Sequence, residues 1–350
     1  MIGNHAIPVI AEAYLKGFRN WNAEEALADM IASTDKNREQ LDAYRNKGFI
    51  PTGNGVQSVS KVLEYAYDDS CIARLAKCLG KNDVAGKYFR RSQNWENVFD
   101  PGTGFMRGKT ADESWVTPFG EKEQDSITFN EYTEANAWQY NFFVPHNVSG
   151  LIGRLGGDDK FVARLDEMFD TQKTIPNLKL IPDVTGVIGM YSHGNEPDHH
   201  VSYLYSYAGQ PWKTQARVRQ IAGALYSNTP GGICGNDDCG QISAWFVFTA
   251  LGFYPVDPVS GNYVLGSPLF NKLTLELNPQ FARGKSFTVI AQNNSAKNPY
   301  IQSATLNGKT LTRSWISHDE ITAGGELVLT MGPAPNKDFG SAPQDRPPGM

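Results

Sequence analysis

A mainly α-helical chain followed by a small antiparallel β module is the fold class that this 350-residue sequence predicts. Three observations carry it. Apolar residues recur at the 3.6-residue period from residue 6 to about 251, and from about 263 to 331 they alternate with polar ones. Between two of the alternating runs stands Asn307-Gly308, a pair suited to the positive φ angles of a type I′ hairpin turn.

Ile7, Ile10, Ala11, Tyr14, Leu15 and Phe18 form the first apolar stripe, within a few residues of Met1. Further helices are expected over 23–32, 38–47, 58–79, 83–99, 158–170, 202–208, 212–226 and 239–251, punctuated by Gly, Pro and Asn. Two aromatic-rich connections, 100–132 and 171–197, are longer than compact domains usually carry without a functional reason. After Gly252-Phe253-Tyr254-Pro255 the texture changes, and strands are expected over 263–265, 272–277, 286–291, 301–306, 309–311 and 326–331. The sequence thus divides into a helical domain over 1–255, a small β-sandwich-like domain over 256–334 and a Pro/Gly-rich tail over 335–350, expected to be disordered.

Composition narrows the function. Lys+Arg 32 against Asp+Glu 37 leaves a net charge of −5, with no broad basic face to neutralise phosphates, so nucleic acid is not an expected partner. No run approaches the roughly 18–20 apolar residues of a membrane span. The start has neither the basic nor the apolar stretch of an export signal. It opens inside a helical pattern, as a fragment of a longer chain would. Of the four cysteines, Cys71 and Cys78 lie two helical turns apart and are expected to pack as small hydrophobes. Cys234 and Cys239 either stay free or close a small loop in an oxidising compartment. None has zinc-site spacing.

Three windows concentrate polar chemistry. In residues 130–140, Glu131, Glu134 and Trp138 stand at helical offsets. Two readings fit: a solvated helix start, or a carboxylic acid held against aromatic rings, which raises its pKa and suits a general acid. Residues 191–200 hold His193, His199 and His200 with Asn195 and Glu196. Adjacent histidines suit a transition metal poorly, whereas the oxygen donors suit a hard ion such as Ca²⁺; a helix cap with packed histidines is the plain alternative. Residues 235–241 place Asn236, Asp237 and Asp238 before an apolar helix, where they either cap it or activate water. Paired carboxylates from separate windows match glycoside hydrolysis. Trp95, Trp115, Trp138, Trp212 and Trp245 lie near loops or helix ends, where one or two are expected to stack on sugar faces.

Ordered motifs then carry a resemblance: Gly3-Asn4-His5-Ala6, Asn94-Trp95, Phe99-Asp100-Pro101, Gly104-Phe105-Met106-Arg107-Gly108, Tyr132-Thr133-Glu134-Ala135-Asn136-Ala137-Trp138-Gln139-Tyr140, Phe143-Val144-Pro145-His146, His193-Gly194-Asn195-Glu196-Pro197, Tyr207-Ala208-Gly209-Gln210-Pro211-Trp212 and Gly235-Asn236-Asp237-Asp238-Cys239-Gly240-Gln241. From residue 3 to about 330 the chain resembles the Ca²⁺-dependent exo-α-mannosidases of glycoside hydrolase family 92. The resemblance implies an (α/α)6 barrel, N-terminally incomplete here, followed by the small β domain. A β-sandwich domain would precede it in the full-length protein.

It also implies a mannose-containing oligosaccharide or glycan as substrate, inversion at the anomeric carbon, and a periplasmic or secreted parent. Glu134 matches the general acid and Asp238 the base, with Asp237 the other candidate because Asn236 occupies a position where some relatives carry a carboxylate. Asn195 and Glu196 match the Ca²⁺ ligands or their frame. Trp138, Gln139, His193, His199, His200 and Asn236 are the matching substrate-side residues. Inversion requires the two carboxyl groups to stand about 6.5–9.5 Å apart. Two other readings are an inactive carbohydrate-binding fragment and a calcium-independent inverting hydrolase of glucosides.

Overall fold

The computed structural model describes residues 2–36, 38, 40–176, 178–181 and 184–349, and the chain forms two compact units, Met1–Asn147 with Glu167–Ser192 and Val148–Asp166 with His193–Met350.

The first unit contains α1 (Ala6–Leu15), α2 (Ala23–Thr34), α3 (Leu41–Lys47), α4 (Ser58–Cys78), α5 (Asn82–Arg91), α6 (Glu121–Asp125) and α7 (Ala137–Tyr140). It also holds the short hairpins β1 (Phe99–Asp100) with β2 (Phe105–Met106) and β3 (Val187–Ile188) with β4 (Tyr191–Ser192). Its centre is α4, which packs against α1, α2 and α5 and is buried on every side. A helix buried all round needs partners for its polar residues. Asp69 accepts from Arg91 Nε at 2.7 Å and Nη2 at 2.5 Å, and from the Tyr44 hydroxyl at 2.8 Å. At α2 the expected start is sharp because Asn22 Oδ1 accepts the Glu25 N–H. The helix expected over 83–99 changes character at Ser92, where a 3₁₀ segment, Ser92–Val98, takes over and leads into β1. Gly189, at φ +63°, lets the β3–β4 turn approach so closely that an added Cβ would stand 2.2 Å from the Met168 carbonyl oxygen.

The second unit contains α8 (Val148–Arg154), α9 (Asp158–Asp170, of which 158–166 count here), α10 (Pro211–Leu225) and α11 (Gln241–Leu251). Residues Val201–Ala208, expected as α-helix, wind as a 3₁₀ helix ended by Gly209 at φ +73°. The β module follows: β5 (Phe253–Tyr254), β6 (Asn262–Leu265), β7 (Lys272–Glu276), β8 (Ser286–Gln292), β9 (Tyr300–Leu306), β10 (Lys309–Thr310), β11 (Trp315–Ser317), the short α12 (His318–Thr322) and β12 (Gly325–Gly332). All six expected strands are present. With β5 and β11, which the pattern did not mark, they form a five-stranded sheet in the order β10-β9-β12-β8-β7 and a three-stranded sheet β11-β6-β5. All pairs are antiparallel except β12 with β8, which run parallel and so correct the fully antiparallel expectation. Alternation works as the pattern implied: Phe287, Val289 and Ala291 of β8 and Leu327, Leu329 and Met331 of β12 are buried in one core. Asn307 at φ 51° and Gly308 at φ 75° make the expected tight turn between β9 and β10.

The tail is ordered, contrary to expectation. Phe339 is buried, the Gly340 N–H donates to Thr312 O at 3.0 Å, and the Ser314 N–H donates to Asp345 O at 2.8 Å. Arg346 Nη1 reaches Asp158 Oδ2 at 2.8 Å. A Pro/Gly-rich stretch has no periodic signal of its own, and these tertiary contacts fix it instead. Cys71 is buried as expected, whereas Cys78 is exposed, and all four thiols are free. Among the described residues no helix is long and apolar enough to cross a membrane.

Candidate active site

The Glu134 motif lies in the first unit. The N-terminus of α4 has no side-chain cap, because Gln57 sits in the left-handed region, and its orphan donors are met by the motif loop. Ser58 N–H donates to Asn130 O at 3.0 Å, and Val59 and Ser60 N–H donate to Glu131 O at 2.9 and 3.1 Å. Thr133 N–H returns a bond to Ser60 Oγ at 2.9 Å. The loop is thereby clamped to the most buried helix of the unit. Glu134, half-buried, follows at φ +49°, a conformation that non-glycine residues adopt at some cost and that the clamped loop imposes.

The helical offsets expected of Glu131, Glu134 and Trp138 are not realised, because α7 begins only at Ala137. Asn136 caps it: its Oδ1 accepts the Trp138 and Gln139 N–H groups at 3.0 and 3.3 Å, and Gln139 Oε1 accepts the Asn136 N–H at 3.0 Å. Glu131 is tied instead to the hydroxyls of Thr52 and Thr128. Trp138 and Gln139 are each 2% exposed. Trp138 Nε1 donates to Asp125 Oδ1 at 2.8 Å with its ring against Phe105, and Gln139 Nε2 donates to Met190 O at 3.2 Å. In this structure both side chains bond to protein. Tyr140 is fully buried, its hydroxyl 3.4 Å from Glu64 Oε1; burial first, then the charges of Glu64 and Glu134, push the phenol well above its ordinary pKa.

The other two windows lie in the second unit. His193 and His199 are 0% and 2% exposed, and His200 is buried too. Burial lowers His193 to about 2, aided by His199. Burial also lowers His199 to about 4, opposed by its bond to the His193 carbonyl. Both are neutral imidazoles at physiological pH, packed on each other and, through His193, on Trp245. Asn195 is buried at the start of the 3₁₀ turn Glu196–Asp198, and Glu196 is half-buried. Their oxygens are of the kind a hard cation takes. Among the described residues no group of three or more His, Cys, Asp or Glu is placed to hold a metal, so carbonyl, water or sugar oxygens would have to complete such a site.

Asp237 and Asp238 part company. Asp237 Oδ1 accepts the Ser243 N–H at 2.8 Å and its Oδ2 accepts the Ser243 hydroxyl at 2.6 Å, bonds that lower its pKa. It holds the first turn of α11, the capping role the sequence left open. Asp238 is exposed. Asn236 is exposed as well. Tyr226 was missed by the sequence reading: its hydroxyl joins His193 Nε2 at 2.6 Å, and only its place after an amphipathic run marked it as a helix end. A cavity of about 730 Å³ lies against this turn, lined by Tyr226, Ser243, Phe246, Val247, Ile233 and Leu269. Of the tryptophans, Trp95, Trp138 and Trp245 are buried, while Trp115 and Trp212 keep exposed surface under Lys109 and Lys213 respectively.

A half-buried glutamate and an exposed aspartate are residue types that glycoside hydrolases use, and the known proteins that this chain matches give the class. The model of the glycosyl hydrolase family 92 catalytic domain matches residues 1–333. The chain belongs to that family. It is 38% identical to a family GH92 α-mannosidase of Bacteroides thetaiotaomicron, with a TM-score of 0.90 over 100% of this chain and 45% of that one. A structure of the same mannosidase in complex with mannoimidazole matches at 37% identity and a TM-score of 0.90, covering 100% of this chain and 46% of the other. A second protein of that bacterium, described as a family GH92 inverting mannosidase, matches at 38% identity and a TM-score of 0.88, covering 100% and 48%. An uncharacterized secreted glycosidase of Arthroderma benhamiae is 34% identical over 388 residues, covering 99% of this chain and 47% of its own. The chain spans about half the length of the relatives it matches.

Proposed function

We propose that this chain carries catalytic groups of a calcium-dependent, inverting exo-α-mannosidase that removes terminal mannose from glycans. What supports the reading most is the likeness, at a TM-score of 0.90, to an α-mannosidase also solved with mannoimidazole. In this reading the helices belong to an (α/α)6 barrel, a β-sandwich domain belongs to the longer parent, and that parent is periplasmic or secreted, as the fungal relative is described to be.

Glu134 protonates the departing glycosidic oxygen. The bonds that clamp its loop to α4 fix the backbone that presents the carboxyl group. Asp238 takes the proton of the attacking water. Asp237 spends both oxygens on Ser243, which leaves Asp238 as the carboxylate free to act as base and ranks it above its neighbour. Asn195 and Glu196 would hold Ca²⁺, which when bound supplies a positive charge to orient sugar hydroxyls. Trp138, Gln139, His193 and His199 act from behind, as framing groups.

The test replaces Glu134→Gln and compares an α-mannobiose with an activated aryl α-mannoside. A large loss on the first and a small one on the second is expected of a missing acid; equal losses would contradict the assignment. Binding of mannose without release by the unaltered chain would favour an inactive carbohydrate-binding fragment, and glucose release resistant to EDTA would favour a glucoside hydrolase.

A further inference from the structure

Tyr226 belongs to none of the motifs the sequence singles out, yet its hydroxyl lies 2.6 Å from His193 Nε2 and 3.0 Å from the Ile242 carbonyl oxygen. A carbonyl only accepts, so Tyr226 gives its single proton to Ile242 and accepts at the other contact. His193 is therefore protonated on Nε2. The same logic fixes His199. Its Nε2, 2.9 Å from the His193 carbonyl oxygen, must donate, so the Nδ1 of the neutral ring accepts an N–H from the Gln241 amide at 3.3 Å. The Gln241 amide also donates to the Tyr254 hydroxyl at 3.2 Å.

These bonds close a circuit with one direction. Gln241 donates to His199, His199 to the backbone of His193, the His193 ring to Tyr226, and Tyr226 to the backbone of Ile242, the residue next to Gln241. Both ends of the circuit thus rest on the first turn of α11. The following residue, Ser243, is the one that holds Asp237. Trp245, from the same helix, packs on the circuit: its Nε1 donates to His199 O at 3.0 Å, its ring centroid lies 4.4 Å from that of His193 in a T-shaped pair, and it lies nearly parallel to Tyr226 at 8°. The two histidine rings are buried, while Tyr226 is only partly so.

We propose that Tyr226 is a positioning residue: its hydroxyl keeps the loop that carries Asn195 and Glu196 in register with the turn that carries Asp238. The proposal rests on the roles given to those three residues under "Proposed function". The Tyr226 hydroxyl acts through His193 and Ile242, the two groups it bonds.

Tyr226→Phe in the full 350-residue chain keeps the ring and deletes both bonds. Long-range ¹H–¹⁵N spectra of the histidine-labelled chain should show His193 losing its Nε2–H preference. Hydrogen exchange at the Ser243 amide should speed up at least about fivefold while that of Leu327 in β12 is unchanged. On an α-mannoside, kcat should fall about 10- to 100-fold with KM held within about twofold. A His193 that stays protonated on Nε2, with Ser243 exchange unchanged, would overturn the proposal.

Should the unaltered chain release no mannose, the catalytic reading fails, while the tautomer and exchange results still decide whether Tyr226 registers the two segments. Should Tyr226→Phe not fold, Gln241→Met decides the same point. Its side chain has no N–H to give His199 Nδ1, so exchange at the Ser243 amide should again speed up; unchanged exchange would refute the circuit.

Discussion

Replacing Asp68 with Asn should remove most of a pH dependence that this one carboxyl imposes on stability. Asp68 is 1% exposed in α4, with Oδ2 accepting the Asn4 N–H at 2.8 Å and no hydrogen-bond partner for Oδ1. Burial, only partly offset by the Asn4 bond, raises its pKa from 3.8 to about 8, and the neighbouring Asp69 adds to the rise. The folded state therefore holds a proton that the unfolded chain gives up near pH 3.8. Its contribution is fully present below that value and is lost as pH climbs to about 8. At about 1.4 kcal/mol per pH unit, the three units between pH 5 and 8 amount to about 4 kcal/mol at most. Asn keeps the shape and an acceptor for Asn4 but cannot ionise. Urea unfolding of both proteins at pH 5 and pH 8 reads the difference. Asp68→Asn should gain on the parent by up to about 4 kcal/mol between the two pH values. Parallel stability profiles for the two proteins would refute a protonated, buried Asp68.

Two further outcomes are expected. Arg91→Met strips Asp69 of the guanidinium that holds it at 2.5 and 2.7 Å, leaving a buried charge, and should cost about 3–5 kcal/mol by urea denaturation. Asp237→Ala should lower the melting temperature while leaving kcat within about tenfold, whereas Asp238→Asn should spare the melting temperature and cut kcat at least about 100-fold. The reverse pattern would exchange their roles.

The strands and most helices were legible because each buries a regular face: the alternation in β8 and β12 and the long apolar pattern of α4 leave few other ways to fold. What was not legible depends on partners far away in sequence. Nothing local tells that Glu134 stands before a helix rather than on one, since its geometry comes from α4 donors seventy-odd residues earlier. The tail has composition without period, and its order comes from Thr312, Ser314 and Asp158. Asp237 and Asp238 are equal in sequence and separate only through Ser243. The Ser317-to-Glu320 capping box that starts α12 is a local signal, but five residues give too little periodicity to mark a helix.

Following the anomers of mannose released from an α-mannoside by ¹H NMR, within the first minutes after mixing with the chain in Ca²⁺, tests the central claim most directly. Inversion gives β-mannopyranose first, with the α anomer appearing only as mutarotation proceeds, and chelation by EDTA stops the release. α-Mannopyranose as the first product, or release that continues unchanged in EDTA, would contradict the account.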